Sequence, residues 1–322
     1  MKKLLGLICM AFVLLVCVTS IAETQSEGDY IYEIKNKSVK IIKYTGEEKG
    51  ELTIPEKIDN KTVEIIGQSA FEQSSPSVII LPDCIKTIER NAFFGSEVKE
   101  IIIPDSKTKI TINSQAFSAC RKLETIYIPS SATLNGFMFF SQCDSLKSIT
   151  VSPDNKQYEI YENALVTKKT RELIAYPLHL IGDVFSIPDG IKTIAKKAFA
   201  HIHNCKTIII PDSVEEIGEG AFSYNSLESL EIGTGIKKMG RLAFSNCEYL
   251  KHVFIYDGTK VIGDEAFDNC IRLETISIPT SVTKIGRNVF RGNYTVKIIT
   301  EPKSAAAKYA IKNNLEVVEP SE

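Results

Sequence analysis

The sequence predicts a β-rich solenoid. It reads as a curved array of repeats of about 23 residues, with a parallel β-ladder on the concave face, an N-terminal β-hairpin cap and a short C-terminal helix cap. Three observations carry that expectation. An Ala-Phe pair recurs at Ala70-Phe71, Ala92-Phe93, Ala116-Phe117, Ala198-Phe199, Ala221-Phe222, Ala243-Phe244 and Ala266-Phe267, with Val289-Phe290 as a variant. Successive Phe positions lie 22 to 24 residues apart, save one gap of 82 between Phe117 and Phe199 that Phe139-Phe140 partly fills, its register open by one residue. Between the pairs, apolar residues alternate with polar ones, as Ile276 and Ile278 do around Ser277, so each unit supplies a short strand with one apolar side. The chain of 322 residues is 43% hydrophobic and carries 38 basic against 40 acidic side chains. That composition excludes disorder and a strongly basic nucleic-acid binder.

The elements follow in chain order. Lys2 and Lys3 precede the apolar run from Leu4 to Val18, and Ser20-Ile21-Ala22 offers small residues for cleavage after Ala22, so residues 1–22 read as a signal peptide. A second reading makes Cys17 a lipid attachment site, although Val16 is bulkier than the Gly or Ala usual before such a cysteine. No later apolar run has spanning length, so the mature chain is expected without a transmembrane segment, secreted or at the cell surface. Residues 23–51 form an N-terminal cap, in which Tyr30 to Tyr44 alternates and turns near Asn36-Lys37. The repeats occupy residues 52–299. Pro82, Pro104, Pro129, Pro211 and Pro279 lack an N–H and end the strand before them. Gly67, Gly218, Gly240, Gly263 and Gly286 follow the second apolar strip and are expected to turn with positive φ, Asn113 and Asn135 standing in at two such turns. From Val151 to Ile187 the spacing is about 13 residues too long. The insertion, about 152–180, holds apolar runs at Tyr158–Tyr161, Ala164–Val166 and Leu173–Tyr176 and reads as a hairpin bulging from the solenoid, for packing or as a binding finger. Residues 300–322 form the C-terminal cap, a helix from Ser304 to about Asn314 and a last strand from Leu315 to Val318.

The full frame is clearest in Phe267-Asp-Asn-Cys270-Ile-Arg-Leu273-Glu-Thr-Ile276-Ser-Ile278-Pro279, followed by Val282-Thr-Lys-Ile285-Gly286. It resembles the BspA-type (Treponema pallidum-type) leucine-rich repeat of exported bacterial proteins, and the resemblance covers the chain from Leu52 to about Ile299. The resemblance implies an adhesin-like binding scaffold that engages a protein of a host or neighbouring cell. A structural or glycan-recognition module of the bacterium's own envelope is the alternative.

Chemistry is scarce. Cys120, Cys143, Cys247 and Cys270 share one frame position, and equivalent side chains in stacked repeats point the same way, so buried thiols are expected in place of bridges or metal ligation. In His201-Ile-His203-Asn-Cys205 the frame turns Cys205 inward and leaves the histidines on a turn, with no fourth ligand nearby. No phosphate loop, nucleophile elbow or paired-carboxylate motif stands out, so no catalytic, cofactor or metal residues are expected, and no enzyme. Asn36, Asn60 and Asn293 begin Asn-x-Ser/Thr triplets that read as chance matches. The working surface is expected on the outward side of the ladder, at Ile80, Ile102, Tyr127, Thr150, Ile209 and Phe254. Ile80, Ile102 and Tyr127 would be consecutive at a ladder spacing of ~4.8 Å and form one apolar stripe. Either a protein partner or one of the chain's own segments, the N-terminal hairpin or the insertion, is expected to cover it. The chain is expected to act as a monomer and to bind no nucleic acid.

Overall fold

A computed structural model describes residues 24–320. The expected cleavage point after Ala22 and Cys17 lie outside the described residues. The chain winds into a solenoid of about twelve turns, each contributing a strand to a first ladder and most a shorter strand to a second. The first ladder runs through Glu51–Thr53, Val78–Ile80, Glu100–Ile102, Thr125–Ile128 and Ser148–Val151 as one parallel sheet. A second parallel sheet continues it from Val184–Ser186 through Thr207–Ile210, Ser229–Ile232, His252–Ile255, Thr275–Ser277 and Lys297–Ile299 to Glu316–Val318. The alternation of the sequence becomes burial. Ile79, Ile101, Ile126 and Ile149 are buried in the first sheet, and Ile208, Leu230, Val253 and Ile276 in the second, while the residues on either side of each turn outward.

The recurring phenylalanines form a column. Phe71, Phe93, Phe117 and Phe140 stack at centroid separations of 5.3, 5.7 and 5.6 Å, which resolves the Phe139-Phe140 register in favour of Phe140. Phe199, Phe222, Phe244, Phe267 and Phe290 repeat the pattern at 5.2, 5.1, 5.4 and 6.0 Å. Such offset aromatic pairs each add about 1 kcal/mol beyond the area they bury. Tyrosines finish the column at both ends: Tyr44 of the N-terminal hairpin lies 5.3 Å from Phe71, and Tyr309 of the C-terminal helix meets Phe290 edge-on at 6.0 Å.

The turn around each Phe carries a third ladder of hydrogen bonds. Gly220, Phe222 and Tyr224 donate their N–H groups to the carbonyls of Arg241, Ala243 and Ser245 in the next turn, at 2.9, 2.8 and 2.9 Å. Glu265, Phe267 and Asn269 do the same to Arg287, Val289 and Arg291. All these donors point toward the C-terminus. The outer two residues of each trio sit at positive φ, as at Gly220 (58°), Tyr224 (61°), Glu265 (58°) and Asn269 (57°).

That observation corrects the reading of the recurrent glycines. Gly67, Gly218, Gly240, Gly263 and Gly286 do not have positive φ; the left-handed residue comes two positions later, at Ser69, Gly220, Leu242, Glu265 and Asn288. Glycine is needed because neighbouring turns touch there: a Cβ on Gly240 would lie 2.7 Å from the Gly218 carbonyl carbon. Asn113 and Asn135 are likewise outside the left-handed region. Their amides pair instead, Asn135 Nδ2 donating to Asn113 Oδ1 at 2.9 Å and Asn113 Nδ2 to the Ile88 carbonyl at 3.1 Å.

The insertion is also corrected. Tyr158–Tyr161, Ala164–Thr167 and Glu172–Ala175 form an antiparallel meander whose last strand joins the second ladder in parallel with Thr193–Ile194. It does not bulge outward. Ala164 and Val166 pack into the C-terminal core while Tyr158, Leu165 and Ala175 pack into the N-terminal core, so the meander is a partition that both halves use. The N-terminal strands Gln25–Glu27, Tyr30–Lys35 and Ser38–Tyr44 also extend the second ladder, with Asn36 and Lys37 both at positive φ in the hairpin turn. At the other end Ser304 Oγ accepts from the Ala307 N–H at 2.9 Å and starts the helix Ala305–Lys312.

Candidate binding surface

The outward positions of the first ladder are set by register. Thr53 pairs with Ile80 and Ile80 with Ile102; Tyr127 follows in the next strand and pairs with Thr150. The structure therefore brings Ile80, Ile102, Tyr127 and Thr150 into one column, in which Ile102 is 39% exposed, Thr150 is exposed, and Ile80 and Tyr127 are half-buried. Tyr127 is anchored. Its hydroxyl donates to Asp105 Oδ2 at 2.6 Å, and Asp105 Oδ1 in turn accepts from the Ser130 N–H at 2.9 Å and from Ser130 Oγ at 2.5 Å. These donors, Ser130 first and then Tyr127, hold the Asp105 carboxyl below the usual carboxylate range, so it stays ionised and keeps the phenol in place. The Tyr127 phenol moves the other way, raised by desolvation and by its bond to Asp105.

Neither segment expected as a cover lies over this column. The N-terminal hairpin and the insertion both belong to the second ladder. Ile209 and Phe254 stand apart from the stripe. They occupy the C-terminal sheet, beyond the interruption between Ser148–Val151 and Val184–Ser186, and Glu231 separates them in register. Ile209 is half-buried and Phe254 is 44% exposed. Two exposed residues escaped the sequence reading, Val184 on that sheet and Tyr256 just past the strand His252–Ile255. Counting one repeat back from Thr207 finds Val184, and carrying the alternation two residues past Phe254 finds Tyr256.

The residues with ligand chemistry are engaged elsewhere. His201 stacks on Tyr224 at 4.9 Å, His203 Nδ1 lies 3.3 Å from Ser226 Oγ, and the buried Cys205 thiol donates to the Thr207 carbonyl at 3.2 Å. Burial pushes His201 below its ordinary pKa, helped by His203, and pushes the Cys205 thiol up to about 11. Among the described residues all six cysteines are free thiols; Cys84 is half-buried and the rest are buried. Cys120, Cys143, Cys247 and Cys270 donate in turn to the carbonyls of Phe93, Phe117, Phe222 and Phe244, at 3.0 to 3.2 Å. Asn293, the third residue after Phe290 as each of these cysteines is after its own Phe, is buried, with its amide donating to the Cys270 and Leu273 carbonyls, so its Asn-x-Thr triplet is structural. No described helix is long and apolar enough to cross a membrane.

Comparison with known proteins agrees with this geometry. The model of the BspA type leucine rich repeat region matches residues 51–174 and 183–297, in six copies. No curated protein sequence matches the chain. Among solved structures it is similar to the pneumococcal vaccine antigen PcpA, with 18% identity over 94% of this chain and 100% of that one and a TM-score of 0.52. A leucine-rich repeat protein of Eubacterium ventriosum gives 16% identity, 85% of each chain and 0.53. These two likenesses bear on the fold alone. A leucine rich cell surface protein of Faecalibacterium prausnitzii gives 26% identity over 90% of this chain and 97% of that one, with a TM-score of 0.49. The break in the family match, between 174 and 183, falls just after the partitioning meander. With well over half of its length matched by the family model, the chain belongs to the BspA-type leucine-rich-repeat family.

Proposed function

We propose that the protein is an exported or cell-surface binding scaffold, adhesin-like and not an enzyme, that captures a protein of a host or neighbouring cell through the first ladder of its N-terminal half. The observation that carries this reading is the in-register column of Ile80, Ile102 and Tyr127, which neither the N-terminal hairpin nor the meander covers and whose aromatic ring is fixed by Asp105. A rigid aromatic beside aliphatic neighbours is the composition of an interface anchor, because little side-chain entropy remains to be lost on binding. Thr150 extends the column, and Ile209 and Phe254 offer a separate contact on the C-terminal sheet. The test replaces Ile80, Ile102 and Tyr127 together with serine. Capture of partner proteins from host matrix and serum by the immobilised mature chain is expected to be lost while the melting temperature falls by only a few degrees, and undiminished capture by the variant sinks the proposal.

Envelope glycan recognition is the second reading. The exposed rings of Phe254 and Tyr256 favour it, since open aromatic faces suit sugar stacking. A glycan array run beside a protein panel separates the two.

A further inference from the structure

The second ladder stops at Ala132–Asn135 and starts again in the meander, and the break leaves a cavity of about 250 Å³ between the two halves. Its walls come from both sides: Leu134, Phe137 and Phe139 from the last turn of the N-terminal half, and Tyr158, Glu172 and Ile174 from the meander. Phe139 and Tyr158 are buried and Leu134, Phe137 and Ile174 half-buried, so the lining is mostly aliphatic and aromatic. Glu172 and Ile174 lie on one face of their strand, opposite the buried Leu173, which puts the half-buried Glu172 side chain on the cavity side.

That carboxylate has no partner. Elsewhere the second ladder neutralises its acids across turns, Lys86 pairing with Glu64, Lys237 with Glu215 and Lys238 with Glu216. Glu172 is followed in register by the uncharged Thr193, and among the described residues none gives it an ion pair or a side-chain hydrogen bond. Its neighbour Arg171 is engaged by Glu159 and by the Tyr161 ring, and Lys196, at the rim of the cavity, is tied to Glu219 at 3.1 Å. Desolvation, and then the charge of Glu216, push the Glu172 pKa up, whereas the partnered Asp105, Glu124, Glu215 and Asp264 are pushed down. A half-buried carboxylate without a cation is costly, and nothing in the fold offsets it. The aromatic wall adds a second attraction for positive charge. The Lys196 ammonium already lies 5.0 Å from the centre of the Phe137 ring.

We infer that this cavity binds a primary alkylammonium group, with its charge set against Glu172 and its aliphatic stem against Leu134, Phe137 and Ile174. Glu172 repels an anion, and a neutral apolar ligand would desolvate the carboxylate further while leaving it unpaired. A lysine side chain of a partner protein and a free alkylamine share the required chemistry. The cavity lies on the second ladder, away from the column of Ile80, Ile102 and Tyr127 on the first, so the inference does not rest on that surface and is tested without it.

The test titrates the mature chain, 13C-labelled at its isoleucine and leucine methyl groups, with Nα-acetyl-lysine N-methylamide, with the Nε-acetylated twin of that compound, and with n-butylamine. Both amines are expected to move the Ile174 and Leu134 methyl signals with a dissociation constant of about 1 mM, the scale for ligands of so few heavy atoms, and the acetylated twin to leave them in place. Tighter binding of the lysine derivative assigns the cavity to a protein side chain and equal binding to a free alkylamine; either result supports the ammonium site. Glu172→Gln is expected to weaken both amines about tenfold, roughly 1.4 kcal/mol, without lowering the melting temperature, because the charge it removes has no partner in the fold. Unmoved methyl signals at tenfold higher amine concentration overturn the proposal, as does equal binding of the acetylated twin, which would make the cavity merely apolar. Undiminished binding by Glu172→Gln overturns it too, and a marked fall in that variant's melting temperature would do the same by making Glu172 a structural residue.

Discussion

Left-handed residues other than glycine are the main local cost of this fold. Ala119 has φ 58°, a conformation that costs an L-residue roughly 1–2 kcal/mol, while Gly95 and Gly292 occupy the same position two residues after their Phe without that cost. Ala119→Gly is therefore expected to raise stability by about 0.5–1 kcal/mol, net of the extra freedom glycine gains in the unfolded chain. A lower melting temperature for the variant would show that the methyl group packs better than its backbone strain costs. Gly240→Ala should do the reverse, losing about 2–3 kcal/mol, because its Cβ would press on the backbone of Gly218. The recurrence of these glycines was legible in the sequence, but their reason was not. A turn with positive φ and a close approach between turns leave the same letter at the same period, and only the stacked structure separates them. The buried thiols give a pH prediction. Burial raises Cys120 from 9.0 to about 11, and lifts Cys143 and Cys270 well above the ordinary value. The folded state then holds these protons more tightly than the unfolded state does. Their contribution is fully present below about pH 9 and is lost as the pH rises toward 11. Urea titrations at pH 8 and pH 10.5 should show a decline that shrinks when Cys120 and Cys143 are replaced together by serine, and an equal decline in that variant would place its origin elsewhere.

At the scale of elements, the strands were the most legible feature, because inward and outward residues alternate with a period that no other element shares. Ile126 and Ile276 are inside, Tyr127 and Ser277 outside, as alternation requires. The insertion shows what alternation leaves open. Its strands were visible as Tyr158–Tyr161, Ala164–Val166 and Leu173–Tyr176, but each carries apolar residues on both faces, and nothing local says whether two faces mean a partition or an exposed finger. The core settles it: Leu165 faces one half while Ala164 and Val166 face the other. One hydroxyl ties this meander to the N-terminal half of the second ladder, Tyr158 Oη accepting the Leu134 N–H at 3.1 Å. Burial raises the Tyr158 phenol pKa, consistent with its position in the core. Removing that acceptor strands a half-buried donor, so Tyr158→Phe is expected to cost about 1 kcal/mol. Hydrogen exchange at the Leu134 amide should speed up in the same variant, and an unchanged rate would mean that water replaces the hydroxyl.

The whole molecule is a one-dimensional array, and such arrays come apart at their weakest junction. In the first ladder each strand within a half is hydrogen-bonded to the next, but Ser148–Val151 and Val184–Ser186 belong to different sheets. The second ladder breaks at the same level, between Ala132–Asn135 and the meander. Among the described residues the hydrogen bonds that cross the junction are few and isolated, such as the His179 N–H to the Leu146 carbonyl at 3.1 Å and Ser141 Oγ to the Ala200 carbonyl at 3.4 Å. Within a half, by contrast, each turn offers three ladders of bonds and a stacked Phe. Cooperativity should therefore fail at the partition. Two urea transitions are expected in place of one, each assigned to a half by hydrogen-exchange mass spectrometry. The meander allows a sharper form of the test, because neighbouring strands serve different cores. Leu165→Ala opens a cavity in the N-terminal core and Leu173→Ala in the C-terminal core, each at a cost of about 2–4 kcal/mol. The first should move only the transition of the N-terminal half and the second only that of the C-terminal half. A single transition that shifts equally in both variants would mean that the meander welds the two cores into one cooperative unit, and that the missing ladder bonds are made good by apolar contact across it.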